Sequence, residues 1–295
     1  MSGIYNVKKH LAGMDFSGLD YADKVELLRK ILDRKIHGIS YSPYMEGQEP
    51  GMEIDASQIE QRLRIIQPYT NWIRTFSCVE GNQHTPTIAK RLGLNTMVGV
   101  CLSDDKDKNE IELANGIEIA RNGDADILAI GNEVLLRGEL TEQELIDYIQ
   151  RAKQALPGVF ISYVDAYFQF EDHPALTATC DVLLVNCYPF WEECHADYAL
   201  LYMKDMYHRS MRVANGKKVI ISETGWPTAG ESCGVAEPSY ENALQYFINT
   251  YQWAEQEGVE IFYFSSFDEA WKTGDEGDVG AYWGLWDKNG ELKYK

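Results

Sequence analysis

The sequence of 295 residues carries 46 acidic side chains against 27 Lys and Arg, a formal net charge of −19. A chain so acidic repels phosphate backbones and argues against a nucleic-acid partner, and its 45% hydrophobic and 12% aromatic residues argue against disorder. The length suits one large domain with an ample core.

In chain order, the opening stretch "MSGIYNVKKHLAGMDFSGLDYADKVELLRKIL" has neither the apolar centre nor the small-residue cleavage site of a secretory leader. No run in the sequence is long enough to span a membrane. The expectation is a cytoplasmic protein without membrane contact, secreted or periplasmic only if a leader has been trimmed away. Cys78, Cys101, Cys180, Cys187, Cys194 and Cys233 are accordingly expected to be reduced.

Short apolar runs then recur at intervals and predict strands. They are "HGISYS" (37–42), "WIRTFS" (72–77), "NTMVGVCL" (95–102), "DILAIGNE" (126–133), "VFISYVD" (159–165), "DVLLVNCY" (181–188), "KVIISE" (218–223) and "EIFYFSSF" (260–267). Between them lie amphipathic stretches such as "DASQIEQRLRIIQPY", "NEIELANGIEIARNG", "TEQELIDYIQRAKQAL" and "SYENALQYFINTYQWAEQEG". Several have a capping residue in front and a glycine behind, and Thr141 with Glu144 spells a capping box. Strict alternation of strand and helix implies parallel strands joined by right-handed crossovers. Eight such units predict a single-domain (β/α)8 barrel over residues 1–295. An open doubly wound sheet is the rival, but neither a GxGxxG turn nor a GxxxxGK loop follows the first strand.

In such a barrel, function sits at the C-terminal strand ends. There the sequence puts Tyr41, Arg74, Asn132, Glu133, Asp165, Asn186, Tyr188, Glu223, Asp268 and Glu269. Polar groups closing apolar strands are costly unless a site uses them. Glu133 ends the fourth strand and Glu223 the seventh, three intervals apart around the ring. With strands about 4.8 Å apart and tilted about 36°, the two Cα atoms lie roughly 14 Å from each other. Each glutamate reaches about 4.5 Å inward, which leaves roughly 5 Å between carboxyl groups, the spacing of a retaining glycosidase. In that chemistry Glu223 attacks the anomeric carbon, and a protonated Glu133 donates to the leaving oxygen. The plainer alternative is a pair of barrel-mouth carboxylates salt-bridged to Arg74, Arg137 or Lys272.

The segments "AIGNEVLLRG" and "VIISETGWPTAG" resemble the acid-bearing and nucleophile-bearing segments of glycoside hydrolase family 17, the β-1,3-glucanases with catalytic glutamates on strands four and seven. The likeness continues through "GISYSPY", "IRTFSC", "VLLVNCYPFWE" and "FSSFDEAWK". It implies Glu133 as acid/base and Glu223 as nucleophile. It further implies Asn132 as the residue that hydrogen-bonds the sugar 2-OH, Tyr188 as the one that orients the nucleophile, and Glu269 with Lys272 as a polar pair. Trp226 is expected to wall the sugar site, Arg74 to support Glu223, and Tyr41 to touch substrate. Phe168, Phe190, Trp191, Trp271, Trp283 and Trp286 sit in predicted loops where sugar faces can stack. One position departs from the family pattern. Gly280 in "VGAYWGLWD" stands where a glutamate is often found, so its hydrogen bond is expected to be missing or supplied by Glu276 or Asp278.

Other chemistries find less support. Cys187, Cys194 and His195 lack a second close pair for zinc, "DEGDVG" misses the EF-hand spacing, and no GxSxG elbow is present. No metal and no cofactor are expected. The expected partner is a β-glucan or β-gluco-oligosaccharide, bound by a monomer and cleaved at β-1,3 bonds with retention. A β-1,3-glucan transglycosylase using the same glutamates is the alternative. A non-catalytic glucan-binding barrel is a more distant one. Loops 165–175, 189–197 and 227–240 are expected to decide which end of the cleft is open.

Overall fold

Runs of β-branched and apolar residues, too short for helices and bounded by turn residues, form the strands. They are β1 (Ile36–Ser40), β2 (Thr70–Arg74), β3 (Asn95–Val100), β4 (Ile127–Asn132), β5 (Phe160–Ala166), β6 (Leu183–Asn186), β7 (Val219–Thr224) and β8 (Ile261–Tyr263). Each pairs in parallel with the next, and β8 returns to β1, which closes the expected eight-stranded (β/α)8 barrel. The computed structural model describes residues 13–274 and 276–295. Residues 1–12, which open the stretch read for a leader, and Asp275 of "DEGDVG" lie outside the described residues.

The helices are α1 (Tyr21–Asp33), α2 (Ala56–Ile66), α3 (Thr85–Arg91), α4 (Lys106–Arg121), α5 (Glu142–Ala155), α6 (Gln169–Asp172), α7 (Pro174–Thr179), α8 (Ala199–Val213) and α9 (Tyr240–Glu257). Their starts follow capping chemistry. Asp55, Asp105, Thr141 and Ser239 each accept a hydrogen bond from a first-turn amide, and Thr141 with Glu144 forms the full capping box. Gly258, with φ of 67°, ends α9 in the left-handed conformation that glycine adopts without penalty.

Alternation along the strands sorts side chains into two shells. Met97, Ile127, Ala129, Val164, Leu184, Ile220 and Phe262 fill the barrel interior, while Leu128, Ile130, Tyr163, Val185 and Ile221 face the helices. The interior filling stops short of the mouth, where buried Arg74, Asn186, Ser222 and Glu223 replace aliphatic residues.

Two departures from the sequence-based bounds bear on the site. β8 has three residues instead of the run 260–267, because beyond Tyr263 the regular ladder gives way to single bonds, Phe264 N–H still reaching Thr224 C=O on β7 while the next residues alternate between a loop and β1. Ser265 N–H donates to Trp283 C=O and Ser266 N–H to Ser40 C=O. Register also shifts on β4 between Ala129 and Asn132 and on β6–β7 beside Asn186, and such bulges re-aim side chains at a barrel rim. Past the β7 end, Gly225 lies so close to β8 that an added Cβ would sit 2.0 Å from the Phe264 carbonyl oxygen. The chain can therefore turn out of the barrel directly after Glu223. Gly225→Ala is expected to lower stability by about 3 kcal/mol in urea unfolding and to reduce kcat, because the overlap pushes the Glu223 segment from its place.

Candidate active site

Glu223, next to last on β7, sits inside the barrel mouth, 6% exposed, and two groups hold it. The Arg74 guanidinium from β2 forms a close ion pair with Oε1. The Tyr188 hydroxyl donates to Oε2 over 2.6 Å. Arg74 also donates to the Ser222 carbonyl at 3.3 Å, so the guanidinium grips the strand as well as its side chain. Its other terminal nitrogen donates to Asn132 Oδ1 at 2.8 Å, which leaves the Asn132 amide N–H2 for a ligand. The Arg74 guanidinium lies 4.4 Å from the centre of the Phe76 ring, an apolar face that keeps water from the pair.

Glu133 follows β4 on a turn with φ of 54°, a left-handed conformation uncommon for a residue with a side chain and concentrated at functional sites. Its N–H donates to Val164 C=O on β5 at 2.8 Å, and Arg137 N–H closes the turn on the Glu133 carbonyl. Asn186 Nδ2 on β6 donates to Glu133 Oε1 at 2.7 Å, and Ser222 hydroxyl fixes Asn186 by donating to its Oδ1 at 2.8 Å. Removal from water and then the charge of Glu223 push the Glu133 carboxyl up to about 7, against the lowering hydrogen bond from Asn186; the charge of Asp165 adds a lesser upward push and Arg137 a still smaller downward one. Two carboxyl groups in one mouth thus have different environments: one paired with a guanidinium, the other holding a proton near neutral pH.

Cavities of about 340 and 300 Å³ meet at this pair. Glu133, Glu223, Phe264, Lys272 and Glu276 border both, so the glutamates stand at the junction of a two-sided cleft. The larger side is walled by Tyr44, Phe76, Asn82, Glu269 and Trp271, the smaller by Tyr167, Phe168, Trp191 and Trp283. Segments 165–175 and 189–197 contribute walls, whereas no residue of 227–240 borders either cavity. Among the described residues, no group of three His, Cys, Asp or Glu side chains is arranged to hold a metal ion.

The expected site residues fall into three groups. Arg74, Asn132, Tyr188, Glu133 and Glu223 converge as the sequence indicates. Glu269, Trp271, Lys272 and Trp283 border the cleft, but the ion-pair partner of Lys272 is Glu276 at 2.8 Å, while Glu269 accepts from the Trp271 indole at 3.1 Å. Tyr41 touches the larger cavity, yet its hydroxyl is committed to the Ile59 carbonyl at 3.0 Å. Trp226 is the correction. It is 1% exposed, donates its indole N–H to the Glu237 carbonyl, and packs against Phe190 and Tyr246, so it backs the wall of the site without facing it. Alternation explains the miss, because the chain turns outward at Gly225 and carries Trp226 behind the barrel. Phe190 and Trp286, both buried, serve packing likewise.

At Gly280 a Cβ would sit 1.7 Å from the Lys272 carbonyl oxygen, so no glutamate fits there on this backbone. Glu276 takes the place beside Lys272 in the cleft, whereas Asp278 is turned away and accepts from Glu231 N–H. Sequence reasoning missed Phe264, Tyr44, Phe76 and Asn82 as lining residues, and placed Asn186 only as a strand end. Asn186 was discoverable from its polar character at the end of an apolar strand; Phe264 was not, because nothing local marks where β8 stops.

Residues 38–284 match the family described as the BtgE/BtgC glycoside hydrolase domain. Among curated relatives, the glucan 1,3-beta-glucosidase of Candida albicans is 27% identical over 266 residues, which spans 81% of this chain and 86% of that protein. The glucan 1,3-beta-glucosidase of Saccharomyces cerevisiae is 24% identical over 263 residues, spanning 81% of this chain and 84% of that protein. Among solved structures, an active-site mutant of the Rhizomucor miehei beta-1,3-glucanosyltransferase in complex with laminaritriose is similar with a TM-score of 0.79 at 28% identity, covering 88% of this chain and 96% of that one. An endo-laminarinase from Formosa, 18% identical, shares the fold at a TM-score of 0.76 over 90% of this chain and 87% of that one. With its barrel closed, its two glutamates at the C-terminal ends of strands four and seven and its match extending through most of the sequence, the chain belongs to the BtgE/BtgC glycoside hydrolase domain family, within glycoside hydrolase family 17.

Proposed function

We propose that this glycoside hydrolase cleaves β-1,3-glucosidic bonds with retention, Glu223 acting as nucleophile and Glu133 as acid/base. The observation that carries the reading is the contrast within the mouth: an arginine-paired carboxylate beside a carboxyl group raised to about 7. In the first step Glu223 oxygen forms a bond to the anomeric carbon as the glycosidic C–O bond breaks, and the leaving oxygen takes the Glu133 proton. In the second, Glu133 takes a proton from water, whose oxygen displaces Glu223 from the anomeric carbon. Asn132, steered by Arg74, offers its amide N–H2 to the sugar 2-OH, a contact that strengthens in an oxocarbenium-like transition state. The substrate assignment draws on relatives that are glucan 1,3-beta-glucosidases and on the laminaritriose complex of the Rhizomucor miehei enzyme.

A second reading has its own support. The smaller side of the cleft carries Tyr167, Phe168 and the 40%-exposed Trp191, rings able to hold an acceptor sugar in place of water. If that side binds sugar well, the glycosyl-enzyme passes to a glucan and the protein acts as a transglycosylase. A time course on reduced-end β-1,3-glucose oligomers, beside β-1,4 and β-1,6 series, separates the readings. Shorter products from the β-1,3 series alone mean hydrolysis, longer ones mean transfer, and no change in any series contradicts both.

Glu223→Gln is expected to keep the fold and to lower kcat at least a thousandfold, since the amide cannot form the glycosyl ester. Near-normal turnover of the purified variant would contradict the nucleophile assignment. Because Glu133 must start protonated, kcat/KM is expected to be full below its pKa and to fall as pH rises through about 7. Glu133→Ala is expected to lose that alkaline limb and to be restored by azide on a substrate with an activated leaving group.

A further inference from the structure

Two buried residues on β5 are unused by the scheme above, yet they contact the turn that carries Glu133. Tyr163 and Asp165 are alternate residues of one strand, so both face the same side, and neither is exposed at all. The Tyr163 hydroxyl donates to Asp165 Oδ2 in a close contact and accepts from the Leu135 N–H at 3.0 Å. The other Asp165 oxygen accepts from the Ala166 N–H at 2.7 Å, and the Leu136 amide also approaches the carboxylate. The strand therefore grips residues 135 and 136 just after Glu133, while Val164 C=O holds the Glu133 amide just before them.

We propose that Tyr163 and Asp165 form a positioning pair, which fixes the left-handed Glu133 turn and supplies a second negative charge against which Glu133 keeps its proton. Neither residue touches the substrate cavities, so neither is catalytic. The inference rests on the acid/base reading of Glu133. A purely structural role would explain the burial of Tyr163 in an apolar shell beside Phe170, but an ionisable Asp165 in that shell is costly without a use.

The charged surroundings are few. Glu133 is faced by Glu223 from β7, Asp165 from β5 and Arg137 from its own loop, with Asn186 as a neutral donor from β6. Arg137 is itself paired with Glu139, Arg74 with Glu223, and Lys272 with Glu276. Asp165 is faced by Tyr163 and Arg137; burial pushes its carboxyl up to about 6, against lowering by the Tyr163 hydroxyl and the backbone amides. Near pH 7 Asp165 is therefore mostly ionised, and its charge opposes ionisation of Glu133.

The test compares pH profiles of kcat/KM on a β-1,3-glucose oligomer for the wild type, Asp165→Asn and Glu133→Ala. Asp165→Asn removes charge at constant size, so the alkaline limb is expected to move to lower pH by about 1 unit. A folded Asp165→Asn protein with the wild-type limb, in a series where Glu133→Ala loses the limb, overturns the pair alone. A Glu133→Ala protein that keeps the limb overturns the acid/base reading and the pair with it. Should Asp165→Asn fail to fold, Tyr163→Phe decides. It is expected to lose at least tenfold in kcat on an oligomer, whose leaving group needs a proton, and to lose little on an activated aryl glycoside. Equal losses on both substrates would mean a structural role and would overturn the proposal.

Discussion

The site depends on the buried ion pair between Arg74 and Glu223. A carboxylate at the end of an apolar strand, 6% exposed, is untenable alone, and removing a partner from such a pair typically costs about 3–5 kcal/mol. Arg74 reaches it from β2 across the mouth, and in doing so also fixes the Ser222 carbonyl and the Asn132 side chain. One guanidinium thus positions Glu223 and the residue that precedes Glu133. The Tyr188 hydroxyl takes the second carboxylate oxygen and restricts its rotation. With that geometry set, burial first and the negative charge of Glu223 second act on Glu133, which has no arginine of its own at comparable distance, and its carboxyl keeps its proton to about pH 7.

The barrel serves this arrangement by closing. Eight parallel strands leave no edge, so the shell of Met97, Ile127, Val164, Leu184, Ile220 and Phe262 below the mouth is rigid support. The irregularities gather above it: the bulges beside Asn132 and Asn186, the left-handed Glu133, the exit at Gly225. Regular ladder geometry ends where chemistry begins, because a straight β4 or β7 would point its last side chain along the alternation of the strand and not at the substrate.

That division also explains what the sequence reveals. Alternation of short apolar runs with capped amphipathic helices is a local signal, so the barrel and its strand order are legible residue by residue, as is Thr141 with Glu144. Glu133 and Glu223 are legible because a carboxylate closing an apolar strand violates local expectation. Trp226 misleads for the converse reason: its neighbour Glu223 is at the site, but one glycine turns the chain away, and only the contact with Phe264 shows where it goes. Lys272 pairs with Glu276 four residues on, in a segment without helical periodicity, so the sequence does not choose between Glu276 and Glu269. Tyr163 and Asp165 look like an ordinary strand repeat until the turn at 135 and 136 is laid against them.

The central claim is that Glu223 carries the sugar covalently while Glu133 moves the proton. The most direct measurement is mass spectrometry of the protein incubated with a 2-deoxy-2-fluoro β-glucosyl donor bearing an activated leaving group, followed by peptide mapping. The account predicts a fluoroglucosyl increment on the peptide containing Glu223, located to that residue and released by a β-1,3-linked acceptor or slowly by water. An increment on Glu133 or another side chain, or turnover of the natural oligomer with inverted anomeric configuration, would contradict it.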